Sequence, residues 1–164
     1  MSSSKCIAID AMGGEGGPTT TVAATLNALQ QNPLLSVILV GDKRKILASA
    51  PSLEAFSGRY DIVHTPKTFL DTEKPATILR SGHETSLYRC VEIHQQGRAS
   101  AVVSAGNTGA LLLLGRHLLK NVVGVELPAI VATLPSQAVP GCPLMGTDTP
   151  ETSQLLGVHL SVAV

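Results

Sequence analysis

The chain has few aromatic residues and no excess of charge of either sign. Among its 164 residues there is no Trp, and it has two Phe and two Tyr, with 12 basic and 12 acidic residues that give a formal net charge of zero. Nucleic-acid binders rely on a basic surface and on rings that stack against bases, so this class is disfavoured. The core must instead be aliphatic, which suits a mostly parallel sheet covered by helices on both faces.

Cysteine is also scarce. Cys6, Cys90 and Cys142 are widely spaced, with no CxxC pair and no spacing typical of metal ligands. We therefore predict free thiols in a reducing cytosol and no metal site. Cys6 and Cys90 fall on apolar segments, which favours a role in core packing over one in catalysis.

Long hydrophobic runs are missing. The apolar run after the polar start ends at Asp10, too short for a secretory signal. The most apolar stretch, Leu111–Leu119, is interrupted by Arg116 and His117, whereas a membrane span needs about 20 apolar residues. The sequence predicts a cytoplasmic protein that can still act at a membrane surface.

Two nucleotide-binding signatures are absent as well. No Gly-Lys-Ser/Thr follows a glycine-rich stretch, which excludes a Walker-type NTPase. The segment Met12–Gly17 does not match GxGxxG with a later ribose-binding acid, so a dehydrogenase-like nucleotide domain is a weaker alternative. We predict no cofactor.

What the chain does have is a pair of glycine-rich turns, each after a short apolar strand and before a helix. They lie within Ile7–Pro18 and Ala101–Ala110. Such turns collect unpaired N–H groups at a helix N-terminus and favour an anion, and glycine lets the backbone approach a phosphate closely. The alternative is that glycine serves only the steric demands of tight turns.

Hydrophobic periodicity predicts successive βα units with parallel strands. The predicted strands are 6–10, 35–40, 60–64, 100–105 and 129–134, and the predicted helices begin at Pro18, Lys43, Pro75, Glu84 and Thr108. Residues 1–135 form the predicted α/β domain, and residues 136–164, rich in Pro and Gly, are predicted to be an irregular tail. Parallel sheets bind ligands at the carboxyl ends of their strands, where both glycine turns must lie.

Polar side chains accompany the turns. A carboxylate such as Asp10, at the end of a buried strand, needs hydrogen-bond partners, and we expect it to organise the loops together with Ser104. Asn107 and Thr108 offer donors beside the second helix N-terminus, and either can instead be an ordinary N-cap.

Together these stretches resemble the bacterial phosphate acyltransferase (PlsX) family of phospholipid synthesis. The matching motifs are Asp10-Ala-Met-Gly-Gly14 with Pro18, Leu39-Val-Gly-Asp42, Glu73-Lys-Pro75, Val103-Ser-Ala-Gly-Asn-Thr-Gly-Ala-Leu111, Glu126-Leu-Pro-Ala129 and Thr133-Leu-Pro135. The resemblance covers about residues 5–135. It implies a three-layer architecture similar to isocitrate and isopropylmalate dehydrogenases, in a homodimer that associates peripherally with the membrane.

The implied reaction moves a fatty acyl group from acyl carrier protein to inorganic phosphate, giving acyl phosphate for a membrane glycerol-3-phosphate acyltransferase. For phosphate and oxyanion contacts we predict the residues of the two turns, namely Gly13, Gly14, Gly106, Asn107, Thr108 and Gly109. Arg80 is a candidate counter-charge for phosphate or for the phosphopantetheine arm, and His83 a candidate general acid; each can equally be an ordinary surface residue.

The chain departs from the family pattern in several places. Glu15 stands where the family commonly has Asp, and Glu84-Thr-Ser-Leu87 stands where it usually has a Ser-Ser-Met run. Residues 136–164 resemble nothing in the family, so we expect an incomplete domain with a foreign tail, as a truncation or frameshift would leave. The competing hypothesis is therefore a catalytically inactive remnant that binds phosphate or a partner.

Overall fold

The computed structural model describes residues 5–121, 130–134 and 142–146. The strands are β1 Lys5–Asp10, β2 Leu35–Gly41, β3 Tyr60–His64, β4 Ala101–Val103, β5 Ile130–Leu134 and β6 Cys142–Gly146. The helices are α1 Gly17–Gln31, α2 Lys43–Ser49, α3 Ile78–Ser81, α4 Ser86–Gln95 and α5 Thr108–Leu114. Short 3₁₀ turns cover Leu53–Phe56 and Pro75–Thr77, and a wider π turn, Gly115–Leu119, continues α5.

The main sheet has four parallel strands in the order β3-β2-β1-β4. The chain first moves outward from β1 to β2 and β3, then returns to place β4 on the other side of β1. The predicted parallel α/β fold is confirmed. The order of the strands, which places β4 beside β1, was not part of the prediction.

Strand β2 shows how the layers form, because successive side chains point to opposite faces. Val37 and Leu39 pack in one cluster with α1 and α2, while Ile38 and Val40 pack in another with α4. A third cluster joins α4 to α5. Helices therefore cover both faces of the sheet, as predicted.

Local sequence signals place the helix ends. Pro18 stands in the first turn of α1, and the helix ends before Asn32-Pro33. Thr85 caps α4 by accepting a hydrogen bond from Tyr88 N–H, and Gly97 beyond its end has φ +73°. The prediction began α4 at Glu84, before this cap, and described residues 108–120 as one regular helix, whereas α5 widens into the π turn from Gly115.

The fifth predicted strand is real but was assigned to the wrong sheet. Strand β5 pairs antiparallel with β6 in a separate two-stranded sheet. The connection between Leu134 and Cys142 is short, which permits a hairpin, whereas a parallel partner needs a crossover of about a dozen residues or more. Strand β6 lies within the segment 136–164 that was predicted to be an irregular tail. The rest of that segment, 136–141 and 147–164, lies outside the described residues, so the domain boundary stays a prediction.

No helix in the described part of the chain combines the length and the apolar character needed to cross a bilayer.

Candidate functional site

The two glycine-rich segments meet at one edge of the sheet. We call residues 11–16, after β1, the first glycine turn, and residues 104–107, after β4, the second. Their strands are neighbours, with Ile9 paired to Val103. A Cβ on Gly13 would lie 2.8 Å from Gly106 N, so the two backbones touch and glycine is required at that contact. The predicted convergence of the turns is confirmed.

The position of this contact in the fold is informative. Strand order reverses between β1 and β4, since β2 and β3 extend in one direction and β4 lies in the other. In open α/β sheets, ligands bind in the crevice outside the carboxyl ends of the strands at such a reversal. Both glycine turns therefore stand where this fold class binds its ligands.

Asp10 lies beneath the contact, at the end of β1 and only 2% exposed. Its Oδ1 accepts a hydrogen bond from Met12 N–H at 3.2 Å, and its Oδ2 accepts one from the Ser104 hydroxyl at 2.8 Å. Burial raises the pKa of Asp10, while the Ser86 and Ser104 hydroxyls and the Met12 and Gly13 amides lower it. Both carboxyl oxygens act as acceptors, which is the pattern of an ionised group.

Ser104 connects the two turns through Asp10. Besides donating to the carboxylate, its Oγ accepts a hydrogen bond from Gly106 N–H at 3.1 Å. The chain of contacts therefore runs from Met12 in the first turn through Asp10 and Ser104 to Gly106 in the second. This is the loop-organising geometry predicted for Asp10 and Ser104.

Two residues of α4 complete the surroundings of Asp10. Ser86 and Cys90 are both 0% exposed and lie four residues apart, on one face of the helix. Burial and, second, the charge of Asp10 raise the pKa of the Cys90 thiol well above its usual value. The core-packing interpretation of Cys90 fits this environment, because a thiolate is strongly disfavoured there.

Ser86 is the residue that sequence reasoning missed. Its buried Oγ has no hydrogen-bond partner among the described residues. The hydroxyl nevertheless helps to lower the pKa of Asp10 against the effect of burial. The available signal was its spacing from Cys90 and Ile93, which makes it a lone polar residue on an apolar helix face.

Asn107 is the N-cap of α5. Its Oδ1 accepts a hydrogen bond from Ala110 N–H at 2.9 Å, and its Nδ2 donates to the carbonyls of Asp71 and Glu73 at 3.2 and 3.4 Å. The alternative of an ordinary N-cap is thus realised at Asn107. Its side-chain donors are occupied within the fold, so the predicted oxyanion contact stays a prediction that requires these bonds to be exchanged.

Thr108 and Gly109 open α5, and the Thr108 side chain is exposed. As the first two helical residues they cannot donate intrahelical backbone hydrogen bonds, so their amides remain available at the positive end of the helix. A Cβ on Gly109 would lie 2.9 Å from Pro75 Cγ, so this glycine also allows the segment before α3 to pack closely.

Gly14 has φ +80°, in the region that favours glycine, and faces Ala105 of the second turn. The steric role of glycine is therefore realised in the first turn, at Gly13 and Gly14. It does not replace the predicted anion contacts, which depend on backbone N–H groups rather than on the absent Cβ.

Arg80 and His83 lie on the surface. Arg80 is exposed in the last turn of α3 and has no ion pair among the described residues. The exposed His83 ring lies against Tyr88, with ring centroids 4.4 Å apart. Neither side chain hydrogen-bonds to the glycine turns within residues 5–121, so their predicted substrate contacts stay predictions. The same range holds no cluster of three or more metal-ligating side chains.

Comparison with known proteins identifies the family. The pattern of the family described as "Fatty acid synthesis protein" matches residues 6–145. The chain belongs to this family. It is the PlsX family that the motifs predicted, and the match extends beyond residue 135, where the resemblance was expected to end.

Curated relatives carry the name phosphate acyltransferase. The chain is 44% identical over 131 residues to the one from Shewanella halifaxensis, 43% to the one from Shewanella pealeana and 41% to the one from Vibrio campbellii. In each case the similarity covers 79% of this chain and 38% of the relative. The chain thus spans well under half the length of the PlsX proteins it matches.

Proposed function

We propose that the chain carries the phosphate-binding half of an acyltransferase that moves a fatty acyl group from acyl carrier protein to inorganic phosphate. One observation supports this most directly: the two glycine turns touch at the strand-order reversal, beside the free amides of α5. Membership in a family of phosphate acyltransferases supplies the reaction class.

The acyl transfer to phosphate needs little covalent chemistry from the protein. A phosphate oxygen attacks the thioester carbonyl carbon, the new C–O bond forms, the C–S bond breaks, and the carrier thiolate leaves and takes up a proton. Phosphate is itself the nucleophile, so the protein must position it and stabilise the developing oxyanion with fixed donors. The proposed donors are the backbone amides of Gly14, Thr108 and Gly109. Those of Gly13 and Gly106 can join them only by exchanging their bonds to the Asp10 carbonyl and the Ser104 hydroxyl.

Asp10 and Ser104 have a supporting role in this proposal. Their hydrogen bonds hold the two turns together, and both oxygens of Asp10 are occupied by donors from the fold. A carboxylate close to a bound phosphate repels it, so we assign Asp10 to positioning rather than to contact with substrate.

The partners are part of the proposal. Acyl carrier protein delivers the thioester, a homodimer is the working assembly, and the acyl phosphate passes to a membrane glycerol-3-phosphate acyltransferase. We place the protein in the cytoplasm, peripheral to the membrane. The exposed Arg80 and His83 can meet the phosphopantetheine arm only if that arm enters from the α3 side.

The test is phosphate-dependent release of carrier thiol from acyl carrier protein loaded with a fatty acyl chain. The 164-residue chain is assayed beside a chimera that continues from residue 145 with the remainder of the Shewanella halifaxensis relative. We expect phosphate-dependent release by the chimera. Activity of the short chain alone excludes the inactive-remnant hypothesis, and inactivity of both proteins contradicts the proposal.

Asn107 variants of the chimera test whether its Nδ2 exchanges the carbonyls of Asp71 and Glu73 for the oxyanion. Asn107→Ala loses both the cap and the amide, whereas Asn107→Ser keeps a good cap and loses only the amide. If the amide turns to the oxyanion during reaction, both variants lose activity by about 10²–10³-fold, a typical loss for one oxyanion donor. A Ser variant with parental activity would restrict Asn107 to its capping role.

A further inference from the structure

The first turn of α2 carries a concentrated positive charge. Lys43, Arg44 and Lys45 are consecutive, and all three are exposed. They belong to a chain with 12 basic and 12 acidic residues and a formal net charge of zero. In the part of the chain that the structure describes, the side chains of these three residues enter no ion pair, since the ion pairs found there use other basic residues.

The neighbouring elements do not neutralise this charge. Helix α1, which packs beside α2, contains no charged residue. The acid next to the cluster, Asp42, is the N-cap of α2 and accepts a hydrogen bond from Arg44 N–H at 2.9 Å. Glu84 pairs with Lys67. The three cations therefore lack a partner of opposite charge among the elements packed against them.

The cations also stand at the wrong end of their own helix. The N-terminus of a helix favours acidic side chains, and basic side chains are favoured in the last turn. Helix α2 has no acidic residue in its first turn and no basic residue in its last. A sequence that breaks a local rule in this way points to function, because folding gains nothing from the arrangement.

Recognition at this turn falls to the side chains, because its amides are occupied. Lys43 N–H donates to His64 Nδ1 at 3.2 Å, and Arg44 N–H donates to the Asp42 carboxylate. Leu47 is 45% exposed and lies four residues after Lys43, on the same side of the helix. We call Lys43, Arg44, Lys45 and Leu47 the basic face of α2.

The basic face stands beside the proposed anion site. Strands β1 and β2 end together, with Asp10 paired to Val40. Met12, in the first glycine turn, packs against Gly41, since a Cβ on Gly41 would lie 2.6 Å from Met12 Cγ. Helix α2 begins two residues after Gly41. A partner held by the basic face therefore lies at the same edge of the sheet as the glycine turns.

We propose that the basic face of α2 is the docking surface for acyl carrier protein, which binds it through acidic side chains. Complementary charges at an interface speed the encounter and fix the orientation of the partner. This inference rests on the proposed function, in which the carrier must bring its thioester to phosphate at the glycine turns. A membrane surface is the weaker occupant, because α2 has seven residues and Leu47 is its exposed large apolar side chain.

The experiment compares the 164-residue chain with Arg44→Gln, with a triple variant and with the control Arg98→Gln. The triple variant replaces Lys43, Arg44 and Lys45 by Gln. Arg98 is exposed and precedes β4, at the opposite edge of the sheet, so the control removes one charge far from the basic face. Three properties are measured in each protein: affinity for acyl carrier protein without an acyl chain, affinity for inorganic phosphate, and unfolding free energy in urea.

We expect Arg44→Gln to weaken carrier binding by about two- to fivefold, the size of one exposed charge pair, and the triple variant to weaken it about tenfold or more. These losses should shrink as salt is added. Arg98→Gln should bind the carrier as the parent does. Phosphate affinity should stay within about twofold of the parent in every variant. The triple variant should be at least as stable as the parent, because the unfavourable interaction with the helix dipole is removed.

Equal carrier binding by the parent and the triple variant would overturn the inference. A less stable triple variant would also overturn it, since the three cations would then have a task within the fold. If the parent binds phosphate but no carrier, the docking surface is wrong and the anion site stands. If it binds the carrier but no phosphate, the proposed site fails instead. Loss of binding to phosphatidylglycerol vesicles in the triple variant, with carrier binding unchanged, would assign the face to a membrane.

Discussion

Asp10 combines two features at the scale of a single residue. It is buried, which penalises its charge, and it lies where that charge holds two loops together. A carboxylate of this kind lowers stability in order to fix geometry, and such residues concentrate at functional sites. Its importance could be predicted from position alone, because an Asp that ends a buried strand must have partners.

The first prediction concerns the pH dependence of stability. Burial raises the pKa of Asp10 above its ordinary value of 3.8, so the folded state binds the carboxyl proton more tightly than the unfolded chain does. The stabilising contribution is therefore complete below about pH 3.8 and is lost as pH rises through the raised folded pKa. Relative to Asp10→Asn, which cannot ionise, the parent should lose unfolding free energy over that range.

Urea unfolding of both proteins at a series of pH values measures this difference. The exposed Asp71→Asn variant is the control and should follow the parent curve. If the unfolding free energy of Asp10→Asn instead rose relative to that of the parent as the pH was lowered, the assignment would be contradicted.

At the scale of elements, the site depends on how closely the turns approach each other. Gly13 faces Asp10 Oδ2 and Gly106 N across the contact, each 2.8 Å from where a Cβ would lie. Gly106 is less crowded, since the nearest atom to its Cβ position would be Ser104 Oγ at 3.3 Å. Two glycines that look equivalent in the sequence therefore differ in the space available to a side chain.

We expect Gly13→Ala to lower the unfolding free energy by about 1–3 kcal/mol, because backbone and a buried carboxylate must shift. Gly106→Ala should stay within about 1 kcal/mol of the parent, since a few tenths of an ångström of movement suffice. Chemical denaturation of both variants provides the measurement. Equal effects of the two substitutions would mean that the turns do not touch as described.

The elements themselves could largely be predicted from the sequence, and their pairing only in part. Aliphatic periodicity located the first four strands, and Pro18 and Gly97 marked helix ends correctly because their backbone restrictions are local. The partner of β5 could not be found in this way, since strand pairing depends on connection length and on distant residues. Ser86 escaped notice because its burial depends on how α4 packs in the fold.

At the scale of the whole molecule, aliphatic clusters on both faces of the sheet exclude water from the groups beneath the turns. Cys90 lies in one of these clusters at 0% exposure. A thiol reagent can reach it only when the packing between α4 and the sheet opens, so its reactivity reports on cooperative unfolding.

We expect Cys90 to be unreactive towards an aromatic disulfide in the native protein and to react at a rate that follows unfolding in urea. Burial raises the pKa of its thiol, which removes the reactive thiolate as well as access. The measurement uses a Cys6→Ala, Cys142→Ala background, so that Cys90 is the remaining thiol. Rapid native labelling would show that α4 opens separately from the rest.

The hydrogen bond between Ser104 and Asp10 joins residues 94 positions apart in the chain. Closing so long a loop has an entropic cost that must be met before the contact contributes anything, which slows folding steps of this kind. During synthesis, the ribosome completes the first turn long before the second exists, so the contact between the two turns can form only late, when β4 lies beside β1. Under the proposed function, ligand binding by the nascent chain would therefore report on the last stage of its folding.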